Sequence, residues 1–213
     1  MGGQPQGRTR YARRRHYRVK PWSPYTEVYW GNYKQAYVTP ISPDEICVVV
    51  LAAQPEDAKL EKSWANWPSL HGRLAEAEVI SRERGAATST HSLPNIVCAN
   101  VALVGDASGS VDAITGEGLR LAFRQALALA TAMECGDLAQ YQKAHRRMMR
   151  RPRWMGEVLL LMGQNAALQS CVIRSLAGKP ELFAQLLAIH VGDAPATGMV
   201  RAGARLGWEF LVA

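Results

Sequence analysis

One stretch of the sequence carries glycines and carboxylates at a spacing that suits cofactor binding. It reads VALVGDASGSVDAITGEGLRLAF from Val101 to Phe123, and a short apolar segment, Asn100–Val104, leads directly into Gly105 and Asp106. A helical pattern begins at Glu117, so the stretch predicts a strand, a loop and a helix. A helix N-terminus leaves several N–H groups without internal partners and carries about half a positive charge, so it suits an anionic or electron-rich group.

The residue types in this loop suit a cofactor that has both hydroxyl groups and an aromatic ring. Asp106, at the end of the strand, can accept hydrogen bonds from hydroxyls, and the amides of Thr115–Gly118 can face a ring carbonyl. Gly116 and Gly118 let a flat ligand approach the backbone closely. Each residue alone has a simpler interpretation, because aspartate closes turns and glycine marks bends. Their order within one loop favours binding.

This stretch resembles the second flavin-contacting motif of FAD-dependent oxidoreductases of the glutathione-reductase-like superfamily, especially aromatic-hydroxylase-type monooxygenases and geranylgeranyl-reductase-like enzymes. The resemblance implies that FAD is the cofactor and that Asp106 holds its ribityl chain. It also implies that the loop amides pass beside the pyrimidine edge of the flavin and that the following helix stabilises negative charge on the reduced ring. The cofactor-binding residues implied are Gly105, Asp106, Asp112, Thr115, Gly116, Glu117, Gly118 and Leu119.

The resemblance extends to both sides of the motif. The segment RYARRRHYRVKPWSPYTEVYWGNYKQAYVTPISPDEICVVVLA resembles the substrate-side sheet of these enzymes, and YQKAHRRMMRR with the apolar helices after it resembles their C-terminal helical region. Two features depart from the family pattern. Many relatives have proline where Ala113 stands, and no G-x-G-x-x-G unit, which cradles the ADP half of FAD, follows a strand. We therefore expect the C-terminal part of a larger flavoprotein, in a truncated or split form.

Short β-prone segments rich in aromatic residues fill positions 13–53 and predict an antiparallel meander. Gly31-Asn32 predicts a tight hairpin turn, and Pro40, Pro43 and Asp44 mark the next turn. A mixture of helix and loop is predicted for 56–72, where Trp64, Trp67 and Leu70 form a stripe that we interpret as core. A further strand is predicted for 76–84, followed by a polar loop up to Pro94.

Beyond Glu117 the pattern is mostly helical, with Gly136 and Asp137 as a helix stop and a new N-cap. Further helices are predicted for Leu138–Arg151, Met155–Leu176 and Pro180–His190, and a loose connection for 193–203. The expected fold class is α/β (α+β), a partial FAD/NAD(P)-binding fold with an antiparallel substrate-side sheet and a C-terminal helical region. The expected domains are the sheet (1–94), the C-terminal part of the FAD-binding domain (95–134) and the helical region (135–213).

The composition limits the classes of protein to which the chain can belong. Of 213 residues, 48% are hydrophobic and 20% charged, which predicts a packed fold. The formal net charge is +7, and we interpret the basic clusters at Arg8–Lys20 and His145–Arg153 as solvated surface, so we do not expect nucleic-acid binding. The four cysteines show no metal-ligand spacing, so no metal site is predicted.

The longest apolar run, Ile46–Ala53, is too short to span a membrane and no signal-peptide pattern is seen, so we expect a cytoplasmic protein.

Two functions from different classes fit the sequence. The first is an FAD-dependent oxidoreductase, monooxygenase- or reductase-like, with a small-molecule or lipid-like organic substrate, NAD(P)H as candidate reductant and an N-terminal half as candidate partner. The second is a non-catalytic remnant or a basic module that binds nucleic acid or an acidic partner; peripheral membrane contact through the C-terminal helices ranks third. No catalytic residue is assigned, because the flavin does the chemistry in this family. Tyr29, Trp30 and Tyr37 fit a substrate cavity and a half-buried sheet equally well.

Overall fold

The structure is a computed structural model that describes residues 8–192. The chain divides into two compact units, Met1–Gly156 and Glu157–Ala213. The fold is mixed α/β with antiparallel sheets, which confirms the predicted class. The domain divisions predicted at 94 and 134 stay predictions, and the loose connection predicted for 193–203 lies outside the described residues.

A six-stranded antiparallel sheet occupies the first part of the chain. Its strands are β1 (Thr9–Arg18), β2 (Glu27–Gly31), β3 (Lys34–Ser42), β4 (Glu45–Ala52), β5 (Glu78–Val79) and β6 (Arg84–Ser89). The order is β2-β3-β4-β1, and both β5 and β6 pair with the outer edge of β1. The predicted meander is therefore confirmed for β2 to β4, but β1 lies beside β4. Strand β4 is thus a central strand that pairs along both edges, which is consistent with its largely buried residues.

The turns of the meander differ in detail from the prediction. Gly31 pairs with Lys34, so the turn residues are Asn32 and Tyr33, and Tyr33 takes a left-handed φ of 56°. Gly31 has a packing role instead, since a Cβ there would lie 3.0 Å from the Trp67 ring. Pro40 lies within β3 beside a register shift, where an irregularity tolerates a residue without an N–H.

One face of the sheet packs against short helices. Helix α1 (Leu60–Ser63), a 3-10 turn and helix α2 (Pro68–Leu74) follow β4. Trp67 and Leu70 of the predicted stripe are buried among the side chains of this face, which confirms their interpretation as core. We call this side of the sheet the helix face and the opposite side the open face.

The segment after α2 agrees with the prediction only in part. The predicted strand at 76–84 is confirmed for β5, whereas β6 begins at Arg84 and otherwise lies in the segment predicted as a polar loop. Most residues of β6 are exposed, so its sequence carries no hydrophobic alternation that could reveal a strand.

Short strands lead into the first long helix. Strand β7 (His91–Ser92) pairs with β10 (Gly109–Ser110), and β8 (Val97–Cys98) pairs with β9 (Val101–Ala102). The longer strand predicted at Asn100–Val104 is thus reduced to two residues. Helix α3 (Gly118–Glu134) confirms the predicted helix start, and Asp137 Oδ1 accepts a hydrogen bond from Ala139 N at 2.9 Å, which confirms the predicted restart.

The remaining described helices are α4 (Leu138–Gln164), α5 (Ala166–Ala177) and α6 (Pro180–Val191). Helix α4 runs through Pro152, where a break was predicted. Pro152 is buried, and its neighbours Met149 and Gly156 pack against the loop before α3, so tertiary contacts outweigh the lost helical hydrogen bond. The break lies instead at Asn165, whose side chain caps α5. None of the described helices is long and apolar enough to cross a bilayer.

Candidate cofactor-binding site

The residues predicted to contact a cofactor lie in the loop Gly105–Glu117, which we call the site loop, and in the first turn of α3. The loop contains two 3-10 turns, Gly105–Ser108 and Ala113–Thr115, separated by β10. Gly105, Gly109 and Gly116 have φ values of 63°, 125° and 67°. These angles are costly for residues with a Cβ, and at Gly109 a Cβ would also lie 3.1 Å from the His91 carbonyl oxygen. The glycines therefore determine the path of the loop.

The first half of the site loop is held from behind by three buried side chains. Gln125 Oε1 of α3 accepts a hydrogen bond from Gly105 N at 2.7 Å. Ser108 Oγ donates to Gly105 O at 2.8 Å and lies 2.9 Å from His145 Nε2 of α4. Ser108 Oγ also lies 3.1 Å from Gln125 Oε1, so one hydroxyl joins the turn to both helices. Helices α3 and α4 thus fix the turn that carries Asp106.

A buried ion pair ties the second half of the site loop to the sheet. Arg10 Nη1 of β1 donates to Asp112 Oδ1 at 3.3 Å, and the two side chains are only 3% and 4% exposed. Arg10 Nη2 also donates to Gln35 Oε1 at 2.6 Å and to Leu51 O at 3.3 Å. The same Asp112 oxygen accepts from Ile114 N at 2.9 Å and so caps the turn that follows. Asp112 therefore organises the loop from within.

The site loop lies against one end of the open face. Register places Arg10, Gln35 and Tyr37 on this face, and Tyr37 donates from its hydroxyl to Ile114 O at 3.4 Å. Burial raises the pKa of Tyr37 to about 12, so the phenol keeps its proton and remains a donor. Trp30 lies on the open face as well, whereas Tyr29 lies on the helix face and donates to Glu27.

The outward side of the site loop has a different character. Asp106, Gly116 and Gly118 are exposed, and Gly105, Asp106 and Gly118 help to line a small cleft beside α3. A Cβ at Gly116 or Gly118 would meet no atom within 4 Å. Because the Glu117 side chain makes no capping bond to α3, the first amides of that helix can serve an external acceptor.

Glu117 is buried in an unusual way for a carboxylate. It is 4% exposed, and its Oε1 forms an ion pair with Arg120. Its Oε2 is buried and has no hydrogen-bond partner within residues 8–192. An unsatisfied buried carboxylate oxygen is costly, and a ligand with an N–H or O–H donor would remove that cost.

The predicted cofactor residues therefore lie in the site loop and the first turn of α3, but their environments differ. Asp106, Gly116, Gly118 and Leu119 are exposed, Gly105 is half-buried, and Asp112, Thr115 and Glu117 are buried. Thr115 Oγ1 donates to Asp112 O at 3.0 Å, so these two residues shape the loop. Their assignment as cofactor contacts stays a prediction.

Sequence reasoning missed the side chains that hold the loop: Arg10, Gln35, Gln125 and His145. Arg10 lies in a run of arginines that was interpreted as solvated surface. Most of that run does have surface partners, because Arg13 and Arg15 pair with Glu83 and Arg18 pairs with Glu78. The one local signal is the alternation of the strand, which turns Arg10 to the opposite face from Arg13 and Arg15.

No family model and no curated protein matches the chain, whereas solved structures match its fold. A flavoprotein/dehydrogenase from Cytophaga hutchinsonii has a TM-score of 0.71 at 16% identity, covering 89% of this chain and 50% of that one. A geranylgeranyl bacteriochlorophyll reductase-like protein from Thermoplasma acidophilum has a TM-score of 0.61 at 19% identity, covering 77% and 46%. A probable FAD-dependent monooxygenase from Pseudomonas aeruginosa has a TM-score of 0.58 at 21% identity, covering 82% and 54%.

At these identities the similarity shows the fold. The predicted α/β fold class with an antiparallel sheet is confirmed, and the chain shares its fold with structures described as a flavoprotein/dehydrogenase and a probable FAD-dependent monooxygenase. The chain spans about half the length of these three structures.

The anchoring role of Arg10 can be tested through stability. Replacing Arg10 with Met leaves the Asp112 carboxylate buried and unpaired, which should lower the free energy of unfolding by about 3–5 kcal/mol. The control, Arg13→Met, breaks a partly exposed pair with Glu83 and should cost about 0–1 kcal/mol. Urea unfolding followed by tryptophan fluorescence measures both. Small and equal losses would show that the ion pair does not anchor the loop.

The His145 contact predicts a pH dependence. Burial, and to a smaller extent the charge of Arg153, lowers the pKa of His145 below its usual value. The folded chain therefore favours the neutral ring, so this contribution to stability is present above the unfolded-state pKa of about 6.5 and is lost as pH falls towards the folded-state pKa. We expect the free energy of unfolding to decrease between pH 7.5 and 5.5 and His145→Gln to flatten that slope. His71→Gln, at an exposed histidine, is the control; an equal slope in all three proteins would contradict the prediction.

Proposed function

We propose that this chain forms the flavin-ring and substrate half of an FAD-dependent oxidoreductase, monooxygenase- or reductase-like, that acts on an organic substrate. The observation that carries the proposal is the site loop, which is locked by buried side chains on one side and presents glycines and a carboxylate on the other. The shared fold with structures described as flavoproteins supports it. The loop is a binding surface whose shape is fixed before any ligand arrives, which reduces the cost of binding.

The outward groups of the site loop fit the ring and ribityl parts of FAD. Asp106 would accept hydrogen bonds from the ribityl hydroxyls, and the open space at Gly116 and Gly118 would admit the flat ring. The first amides of α3 would donate to a ring carbonyl, and Glu117 Oε2 would accept from a donor of the bound group. FAD, when bound, supplies the hydride or electron transfer to the substrate, with NAD(P)H as the proposed reductant.

The chain itself orients these parts. Helix α3 is 17 residues long and points its N-terminus at the end of the site loop, which favours negative charge there. The Arg10–Asp112 pair and the Tyr37 hydroxyl keep the loop against the open face, so a ring on the loop and a substrate on that face would be neighbours.

A second feature concerns the part of FAD that the site loop does not reach. Helix α3 has one buried side and, opposite it, an exposed apolar stripe formed by Leu119, Phe123, Leu127 and Met133, each 66–77% exposed. Such a stripe indicates a face that another protein element covers. We propose that it binds an N-terminal half with a glycine-rich βαβ unit for the ADP moiety, as part of a longer chain or as a partner. The isolated chain should accordingly be poorly soluble and nearly colourless.

Two substitutions test the proposed seat of the flavin. Asp106→Ala should weaken riboflavin binding by about 1.5–3 kcal/mol, the usual range for hydrogen bonds to a charged group. Gly118→Val should weaken it by steric contact with the ring, because the chain itself leaves that space open. Gly72→Val is the matched control, since Gly72 also lies in a helix with nothing within 4 Å of its added Cβ. Binding is followed by riboflavin fluorescence, and wild-type affinity in both site variants would exclude this seat.

A further inference from the structure

Beyond the site loop, the open face of the sheet carries an ordered row of side chains. The pairing register places Arg14 opposite both Arg84 and Val49, Val49 opposite Tyr37, and Tyr37 opposite Val28. Directly opposed residues in antiparallel strands point to the same face. One line across five strands therefore reads Arg84, Arg14, Val49, Tyr37 and Val28.

One end of this row is apolar and adjoins the site loop. Tyr37 and Val49 are half-buried and Val28 is 42% exposed. The Tyr37 ring is held in place by its hydroxyl contact with Ile114 O. The next row towards the site loop contains Gln35 and Leu51, which are buried, and Trp30, which is half-buried. The exposed apolar surface of Val28, Tyr37 and Val49 therefore ends at the site loop.

The other end of the row carries two like charges in direct opposition. Arg14 and Arg84 are both exposed, and like charges at opposed positions repel. Within residues 8–192, neither has a carboxylate within ion-pair distance, whereas Arg10, Arg13, Arg15 and Arg18 on the same strand all have one.

The surroundings of Arg14 keep its charge uncompensated. Its Nη1 lies 2.8 Å from His16 Nε2, and His16 Nδ1 lies 2.5 Å from Glu45 Oε1. With Nδ1–H donating to the Glu45 carboxylate, Nε2 accepts from Arg14. Glu45 is thus used by His16, and the excess positive charge stays at the Arg14–Arg84 pair.

We propose that the open face binds an organic acid with a flat apolar body. Its carboxylate lies between Arg14 and Arg84, whose guanidinium groups suit the two oxygens of that group. Its body extends over Val49 and Tyr37 towards the site loop. Adjacent strands are about 4.8 Å apart, so Arg14 and Tyr37, two strands away, span roughly 10 Å. That span fits a one- or two-ring aryl acid and is short for a long-chain lipid.

As an assignment of substrate class this inference rests on the proposed function, but its binding test needs no flavin. The probes are 2-naphthoate and its neutral analogue 2-naphthamide, titrated into the full chain by calorimetry. We expect naphthoate to bind at least tenfold more tightly than naphthamide. Arg14→Gln and Arg84→Gln should each reduce naphthoate affinity by about tenfold, whereas Arg13→Gln, on the helix face of the same strand, should leave it unchanged.

The outcomes separate this inference from its alternatives. Both variants should retain the stability of the parent chain or exceed it, because each removes a like-charge contact. Equal affinities for the acid and the amide, or unchanged affinity in both site variants, would overturn the inference. If acetate at the same concentration displaced naphthoate, the Arg14–Arg84 pair would be a general anion site, and the inference would also be overturned. If the unmodified chain binds naphthoate but does not bind riboflavin, only the proposed function is rejected.

Discussion

The buried ion pair between Arg10 and Asp112 is the interaction on which the arrangement of the site depends. It joins residues 102 positions apart in the chain and brings the loop before α3 against the open face of the sheet. Burying two charges costs desolvation that their attraction only partly offsets, so such a pair contributes placement more than net stability. As a consequence, one buried cation determines where the site loop meets the open face of the sheet.

The buried side of the site loop explains how a glycine-rich segment can keep one shape. Gln125, Ser108 and His145 hold its first half, and Asp112 holds its second half through Arg10 and Ile114 N. The glycines allow the backbone to form left-handed turns and leave open space on the outward side of the loop. The buried side chains then restrict the remaining conformational freedom of the loop backbone. A loop that is rigid from behind and open in front is suited to a large planar ligand.

Local signals in the sequence were sufficient to predict the positions of the site loop, of α3 and of its end at Gly136, because each depends on neighbours within a few residues. They were also sufficient for β2 to β4. The position of β1 beside β4, the exposed strand β6 and the continuation of α4 through Pro152 depend on contacts with distant residues, which periodicity does not report. The same limit applies to Arg10, whose role follows from a register that is fixed only when the sheet has formed.

The most direct test of the central claim compares two ligands on the isolated chain. The proposed function has the site loop contact only the ribityl and ring parts of a flavin, and it places the ADP part on another half. Calorimetric titration with riboflavin and with FAD should therefore give equal, weak affinities, both reduced by Asp106→Ala. Tight, stoichiometric binding of FAD far above that of riboflavin would contradict the claim, since it would show that this chain alone holds the ADP moiety.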